Sequence, residues 1–160
     1  MSIQDSILKK AVKSEEAVRI VDGWRLDGLR IVFTNGCFDI LHYGHLFVLT
    51  SAAGQGDKLV VGLNSDQSVK RLKGTGRPVN DEFHRSLMLA AMVPVDLVTV
   101  FEEDTPLELI RALRPHVLVK GGDYEEGRIA GAAEVRAAGG RVVIVPYQQG
   151  FGTTRLLNEK

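Results

Sequence analysis

The chain has 160 residues, enough for one domain of ordinary size with a sizeable core. Lys plus Arg number 20 and Asp plus Glu 20, so no global field recruits nucleic acid or a membrane surface, and any anion site must be local. Cys37 is the only cysteine, which excludes an intrachain disulfide. With no signal-peptide pattern and no apolar run of membrane length, a cytoplasmic protein is expected.

Residues 2–27 read as helical. Ile3, Ile7, Leu8 and Val12 fall near helical spacing, and a second helix starts at Ser14-Glu15-Glu16 with Ser14 as its cap. Val18, Val21, Trp24 and Leu26 would pack on the main body. The expected organisation is a helical leader over 1–28 and a main domain over 29–160. Residues 29–32 form an apolar run that predicts a buried strand, followed by a turn through Asn35-Gly36 and a helix carrying Leu46, Val48, Leu49, Ala52 and Ala53. Residues 58–63 predict the next strand, with Asn64-Ser65-Asp66 at its carboxyl end and a short helix over 67–72.

Residues 73–80 form a polar, glycine-rich loop with Arg71, Lys73 and Arg77 in or beside it. No Gly-Lys-Ser/Thr closes it, so it is not a P-loop. A mobile flap carrying a cation to a ligand is the functional reading, and a solvated loop the plainer one. Asn80 or Asp81 caps a helix to about Met92, in which Arg85 either lies at the surface or reaches back to a phosphate. Strands follow over 95–101, 116–120 and 141–146. Between them come a helix with Pro106 in its first turn and a helix over 129–138. Thr153-Thr154 caps a last helix. Five strand runs alternating with helices predict a Rossmann-like, doubly wound, five-stranded parallel sheet with helices on both faces.

The polar candidates all follow strand ends on one side, where open α/β sheets bind ligands. Residues 33–45, Phe-Thr-Asn-Gly-Cys-Phe-Asp-Ile-Leu-His-Tyr-Gly-His, are the densest of them. His42 and His45, three apart at a helix start, can share one face. Gly44 between them lets an anion approach the backbone, and the helix N-terminus favours negative charge. A lone histidine near a helix start is more often a cap or a surface residue. The pair, directly after a strand and a glycine turn, points instead to a polyphosphate site.

Phe38-Asp39-Ile40-Leu41-His42-Tyr43-Gly44-His45 resembles the His-x-Gly-His signature of the nucleotidylyltransferase superfamily, which is cytidylyltransferase-like. The Val-Lys-Gly-Gly-Asp-Tyr block at 119–124, beside Asn64-Ser65-Asp66 and Arg77-Pro78-Val79-Asn80, resembles the D-glycero-D-manno-heptose 1-phosphate adenylyltransferase family more narrowly. That resemblance implies AMP transfer from ATP to the sugar 1-phosphate, giving ADP-heptose and pyrophosphate for the lipopolysaccharide inner core. It implies Mg²⁺ held mainly by the triphosphate, with no metal ligand on the protein.

Carried over by position, His42 and His45 would bind the triphosphate and stabilise the transition state, with Lys73 reaching its phosphates. Thr34, Asn35, Gly36, Phe38, Gly44, Gly122, Asp123, Tyr124, Thr153 and Thr154 would line the nucleotide site. Asp39, Asn64, Asp66 and Arg77 would border the sugar phosphate. The family usually reads Ser-Thr-Thr where this chain has Gly152-Thr153-Thr154. Small-molecule substrates, a homodimer and a separate upstream sugar kinase are the expected partners, with no nucleic acid and no membrane. Tyr147, where the glycerol-phosphate cytidylyltransferases usually carry Arg, and Gly121-Gly122, where they more often carry an acidic residue second, favour ATP over CTP. Two rival readings are a cytidylyltransferase for an alcohol phosphate such as glycerol 3-phosphate and a non-catalytic nucleotide-binding domain.

Overall fold

The structure is a computed structural model, and it describes residues 1–146. The expected turn after Pro146, Tyr147, the Thr153-Thr154 cap and the last helix lie outside the described residues.

The N-terminal stretch is not wholly helical. Helix α1 (Ile3–Leu8) is closed by a capping box between Ser2 and Asp5. The chain then extends as β1 (Ala11–Val12) before α2 (Ser14–Leu26). Lys10 explains the interruption: its carbonyl accepts the Val98 N–H at 2.7 Å, and its ammonium donates to the Val95 carbonyl at 2.7 Å. Backbone groups that a continuous helix would satisfy internally are satisfied here by a sheet edge. Ser14 is the first helical residue, not the cap, because Lys13 holds the cap position without a side-chain bond. Val21 is buried as expected, whereas Leu26 is 90% exposed.

The remaining elements alternate. They are β2 (Ile31–Gly36), α3 (Tyr43–Ala53), β3 (Lys58–Asn64), α4 (Asp66–Lys73), α5 (Glu82–Ala90), β4 (Leu97–Phe101), α6 (Leu107–Leu113), β5 (Val117–Gly121), a 3-10 turn (Glu126–Arg128), α7 (Ala132–Ala137) and β6 (Arg141–Val145). The sheet is wholly parallel and six-stranded, in the order β1-β4-β3-β2-β5-β6. The five expected strands are present, and β1 is the sixth, at the edge beside β4. Asn35 and Gly36, expected as a turn, are the last residues of β2, paired with Gly62 and Leu63 of β3.

Strand β2 is buried on both faces, as its apolar run requires. Ile31 and Phe33 face Ala17, Val21, Leu109, Ile110, Leu113 and Val135 from α2, α6 and α7. Val32 faces Leu49 and Ala52 of α3 and Leu89 and Ala90 of α5. Each fully buried side chain of this size contributes about 1.5–3 kcal/mol. From β2 the chain winds to β3 and β4 on one side, then returns to β5 on the other side of β2. The carboxyl ends of β2 and β5 therefore form the topological switch point, where the connections part and leave a crevice.

Candidate active site

A cavity of about 200 Å³ opens at that crevice, lined among others by Thr34, Asn35, Gly36, Phe38, Asp39, His45, Lys73 and Tyr124. Phe38 has a left-handed φ of 46° and is buried, a backbone conformation a large side chain adopts only when its surroundings impose it. Its ring packs on Gly36, where a Cβ would fall 3.1 Å from it, and lies 5.1 Å from the His45 ring. Phe38 is thus a wall behind His45.

His42 is the N-cap of α3, and its side chain makes no capping bond. That end of the helix keeps its positive dipole end for a ligand. Gly44 sits in its first turn. The His42 and His45 rings stack with centroids 3.8 Å apart and 25° between planes. The Nδ1 atoms of both are buried without a hydrogen-bond partner among the described residues. Burial, then the neighbouring His42 and Lys73, pushes the His45 imidazole down to about 4; burial also lowers His42. Near neutral pH, His45 therefore offers one N–H donor and one acceptor.

Lys73, expected in the loop, is instead the last residue of α4, exposed at the cavity rim, and Gly74 ends the helix at φ 97°. Arg71 is turned away, bonded to Asp104 at 2.8 Å and to the Glu102 carbonyl. Arg77 donates to the Asp39 carboxylate, which also accepts the N–H groups of Val79 at 2.8 Å and Asn80 at 3.1 Å. Burial acts to raise the Asp39 pKa, but the Asn80 N–H, Arg77 and the Val79 N–H outweigh it and hold the carboxyl below its ordinary value. Arg77 Nη2 remains buried without a partner among the described residues.

Asn64 and Asp66 lie at the end of β3 but do not line the cavity. The Asn64 amide donates to Ser68 Oγ at 3.0 Å, and the Asp66 carboxylate accepts from Arg85 at 2.7 Å. Arg85, which the sequence left between a surface residue and a phosphate ligand, is not at the surface: it is 2% exposed and donates to the carbonyls of Asn80, Cys37 and Asn64 as well. After β5, Gly122 is tied to the Val145 carbonyl at 2.9 Å, and Asp123 is exposed beside it; neither lines the cavity.

Lys120, read from the sequence as a strand residue within the Val-Lys-Gly-Gly-Asp-Tyr block and given no site role, is a lining residue. Its ammonium lies 3.3 Å from Asn35 Oδ1 and 5.3 Å from the Tyr124 ring centroid. The available signal was a lysine closing the apolar run His116-Val117-Leu118-Val119 directly before Gly121-Gly122. A larger cleft of about 820 Å³ lies against β1, but Glu82, Glu102, Glu103 and Glu108 line it, and these carboxylates would repel a polyphosphate.

The chain matches the cytidylyltransferase-like family over residues 33–149. It is 60% identical over 135 residues to the Bifunctional protein HldE of Bradyrhizobium diazoefficiens, covering 84% of this chain and 27% of that protein. The Gluconobacter oxydans Bifunctional protein HldE is 53% identical over 146 residues, covering 91% of this chain and 30% of that protein. The chain therefore spans under a third of the length of these relatives. Among solved structures, the lipopolysaccharide core biosynthesis protein of Thermoplasma volcanium is 27% identical with a TM-score of 0.62, covering 76% of this chain and 98% of that one. Pantoate-beta-alanine ligase of Francisella tularensis shares the fold alone, at a TM-score of 0.66 and 12% identity, covering 94% of this chain and 73% of that one. With a family match over most of its length, this chain belongs to the cytidylyltransferase-like family.

Proposed function

We propose that this chain is a nucleotidylyltransferase that transfers AMP from ATP to D-glycero-D-manno-heptose 1-phosphate, giving ADP-heptose and pyrophosphate for the lipopolysaccharide core. The observation that carries nucleotidyl transfer is the stacked His42–His45 pair. Its unpartnered nitrogens sit at an uncapped helix N-terminus beside Lys73. The sugar phosphate is supported by the Val119–Tyr124 sequence block and by the description of the Thermoplasma volcanium relative as a lipopolysaccharide core biosynthesis protein.

In this reaction an oxygen of the acceptor phosphate attacks the α-phosphorus, and the bond from that phosphorus to the bridging β-oxygen breaks. The attacking oxygen is already anionic near neutral pH, so no general base is needed. The work of the protein is positioning and charge stabilisation. His42 and His45 donate N–H groups to the triphosphate, and Lys73 adds a cation from the rim. Arg77 holds Asp39 and the loop over the acceptor side. Mg²⁺ enters as part of the nucleotide substrate; among the described residues no group of three or more His, Cys, Asp or Glu side chains is gathered to hold a metal ion.

A sugar kinase must act upstream to make the anomeric phosphate. The setting proposed is the cytoplasm; among the described residues no helix is long and apolar enough to cross a membrane. A homodimer is proposed, with exposed Leu46 and Val93 at its apolar contact.

Pyrophosphate release with ATP and CTP against a panel of sugar and alcohol phosphates tests the reading. ATP with heptose 1-phosphate is expected to be fastest. Faster turnover with CTP and glycerol 3-phosphate would assign the alternative branch, and nucleotide binding without turnover on any acceptor would make this a non-catalytic domain.

A further inference from the structure

Two cations in the cavity have no carboxylate partner among the described residues. Arg77 neutralises Asp39, which leaves Lys73 at the rim and Lys120 on β5. Their neighbours differ. Lys73 is close enough to His45 to depress its imidazole, whereas Lys120 sits beside Cys37, Asn35 and Tyr124. Lys120 also stands on a rigid base, since β5 is paired on both sides, to β2 and β6. A partly buried ammonium without a counter-charge is costly to keep unless a ligand supplies one.

We infer that Lys120 is a substrate-binding residue that holds the phosphate of the acceptor, while His42, His45 and Lys73 take the triphosphate. Asn35 Oδ1 accepts one ammonium proton and the Tyr124 ring face supports the charge, which leaves donors for a phosphate oxygen. An ammonium cannot accept hydrogen bonds, so its strongest partner is an anion and not a neutral base or hydroxyl. The reaction also brings one phosphate against another, and a cation beside the acceptor offsets that repulsion. Lys120 keeps its protons throughout: the only bond made is from acceptor oxygen to α-phosphorus, and the only one broken is to the leaving pyrophosphate. Burial lowers the Lys120 pKa in the ligand-free protein, and a bound phosphate would restore the charged form.

This inference rests on the nucleotidyl-transfer reading, and Lys120→Met tests the two separately. The KM for the sugar 1-phosphate should rise about tenfold or more, the scale of one lost charge-assisted contact, with the KM for ATP within about twofold. The ligand-free melting temperature should stay level or rise, because a charge without a counter-ion is gone. Thermal stabilisation by inorganic phosphate should be lost, and Lys120→Arg should recover part of both effects. A rise confined to the KM for ATP, or a fall in stability that parallels the loss of activity, overturns the assignment. Should the wild-type chain release no pyrophosphate with any acceptor, the nucleotidyl-transfer reading fails and the phosphate titration alone decides Lys120. Protection of wild type but not of Lys120→Met supports the site, and equal protection overturns it.

Discussion

His42 and His45 stack one helical turn apart, ring centroids 3.8 Å from each other, and neither Nδ1 has a partner among the described residues. Two imidazoles at that separation cannot both be charged cheaply. The folded pKa of His45, about 4, lies below its ordinary 6.5, so on acidification the unfolded chain takes up the proton first. The stability contribution is complete above the unfolded value and is lost as pH falls through the window down to the folded one. Its ceiling is about 3 kcal/mol, at about 1.4 kcal/mol per pKa unit. In His45→Gln, urea midpoints measured across that window should vary less with pH than in wild type. An unchanged slope would mean that His45 is not held neutral.

The same pair sets an activity prediction. His45→Ala should lower turnover by about two to three orders of magnitude, the scale for losing one donor to a developing charge. Circular dichroism should show the fold retained, because the side chain faces the cavity. Turnover near wild type in the folded variant would remove His45 from the mechanism.

Lys73 is exposed and forms no ion pair among the described residues, so it contributes little to the fold. Lys73→Ala should raise the KM for ATP by about tenfold while the melting temperature stays nearly constant. A matched loss of both would make it a structural lysine at the end of α4.

Asp39 and Arg77 predict the reverse pattern. The Asp39 side chain is 0% exposed and that of Arg77 16%, and the pair ties residues 77–80 to the loop after β2. Asp39→Asn leaves a buried guanidinium without its counter-charge, which costs about 3–5 kcal/mol. Denaturant unfolding should show that loss with no substrate present. A change smaller than about 1 kcal/mol would show the pair to be solvated in solution.

The order of β2 to β6 and the location of the site at their carboxyl ends were legible because apolar runs, glycine stops and helical spacing agree over residues 29–146. Strand β1 was not: two residues carry no periodicity, and Ile7 and Leu8 before them continue a helical pattern. What makes the chain extend there is the edge of β4, a partner distant in sequence. The histidine pair was legible from its spacing, whereas Lys120 read as the end of a strand until the pairing of β5 beside β2 brought its ammonium to Asn35. Asn64 and Asp66 stand at the expected strand end, but their side chains are taken by Ser68 and Arg85, and a competition among polar groups is invisible in sequence.

Arg85 decides the last prediction. Its side chain is 1% exposed, and it donates to Asn80 O at 2.9 Å, Cys37 O at 2.7 Å, Asn64 O at 2.8 Å and Asp66 Oδ1 at 2.7 Å. Those acceptors belong to the loop after β2, the end of β3 with the start of α4, and the stretch leading into α5. One guanidinium therefore joins three segments beside the cavity, with four of its five N–H groups taken by the protein itself. Arg85→Met would strand buried carbonyls and a carboxylate, at a cost of about 3–5 kcal/mol. Arg85→Lys should do almost as badly, since an ammonium has no planar fork to reach segments lying in different directions. Both variants should lower the ligand-free melting temperature, and both should weaken ATP and acceptor alike because the loops lose their common tie. If Arg85 were instead a phosphate ligand, Arg85→Lys would keep full ligand-free stability and lose affinity for one substrate only. Melting curves without ligand, read beside the two KM values, distinguish these outcomes.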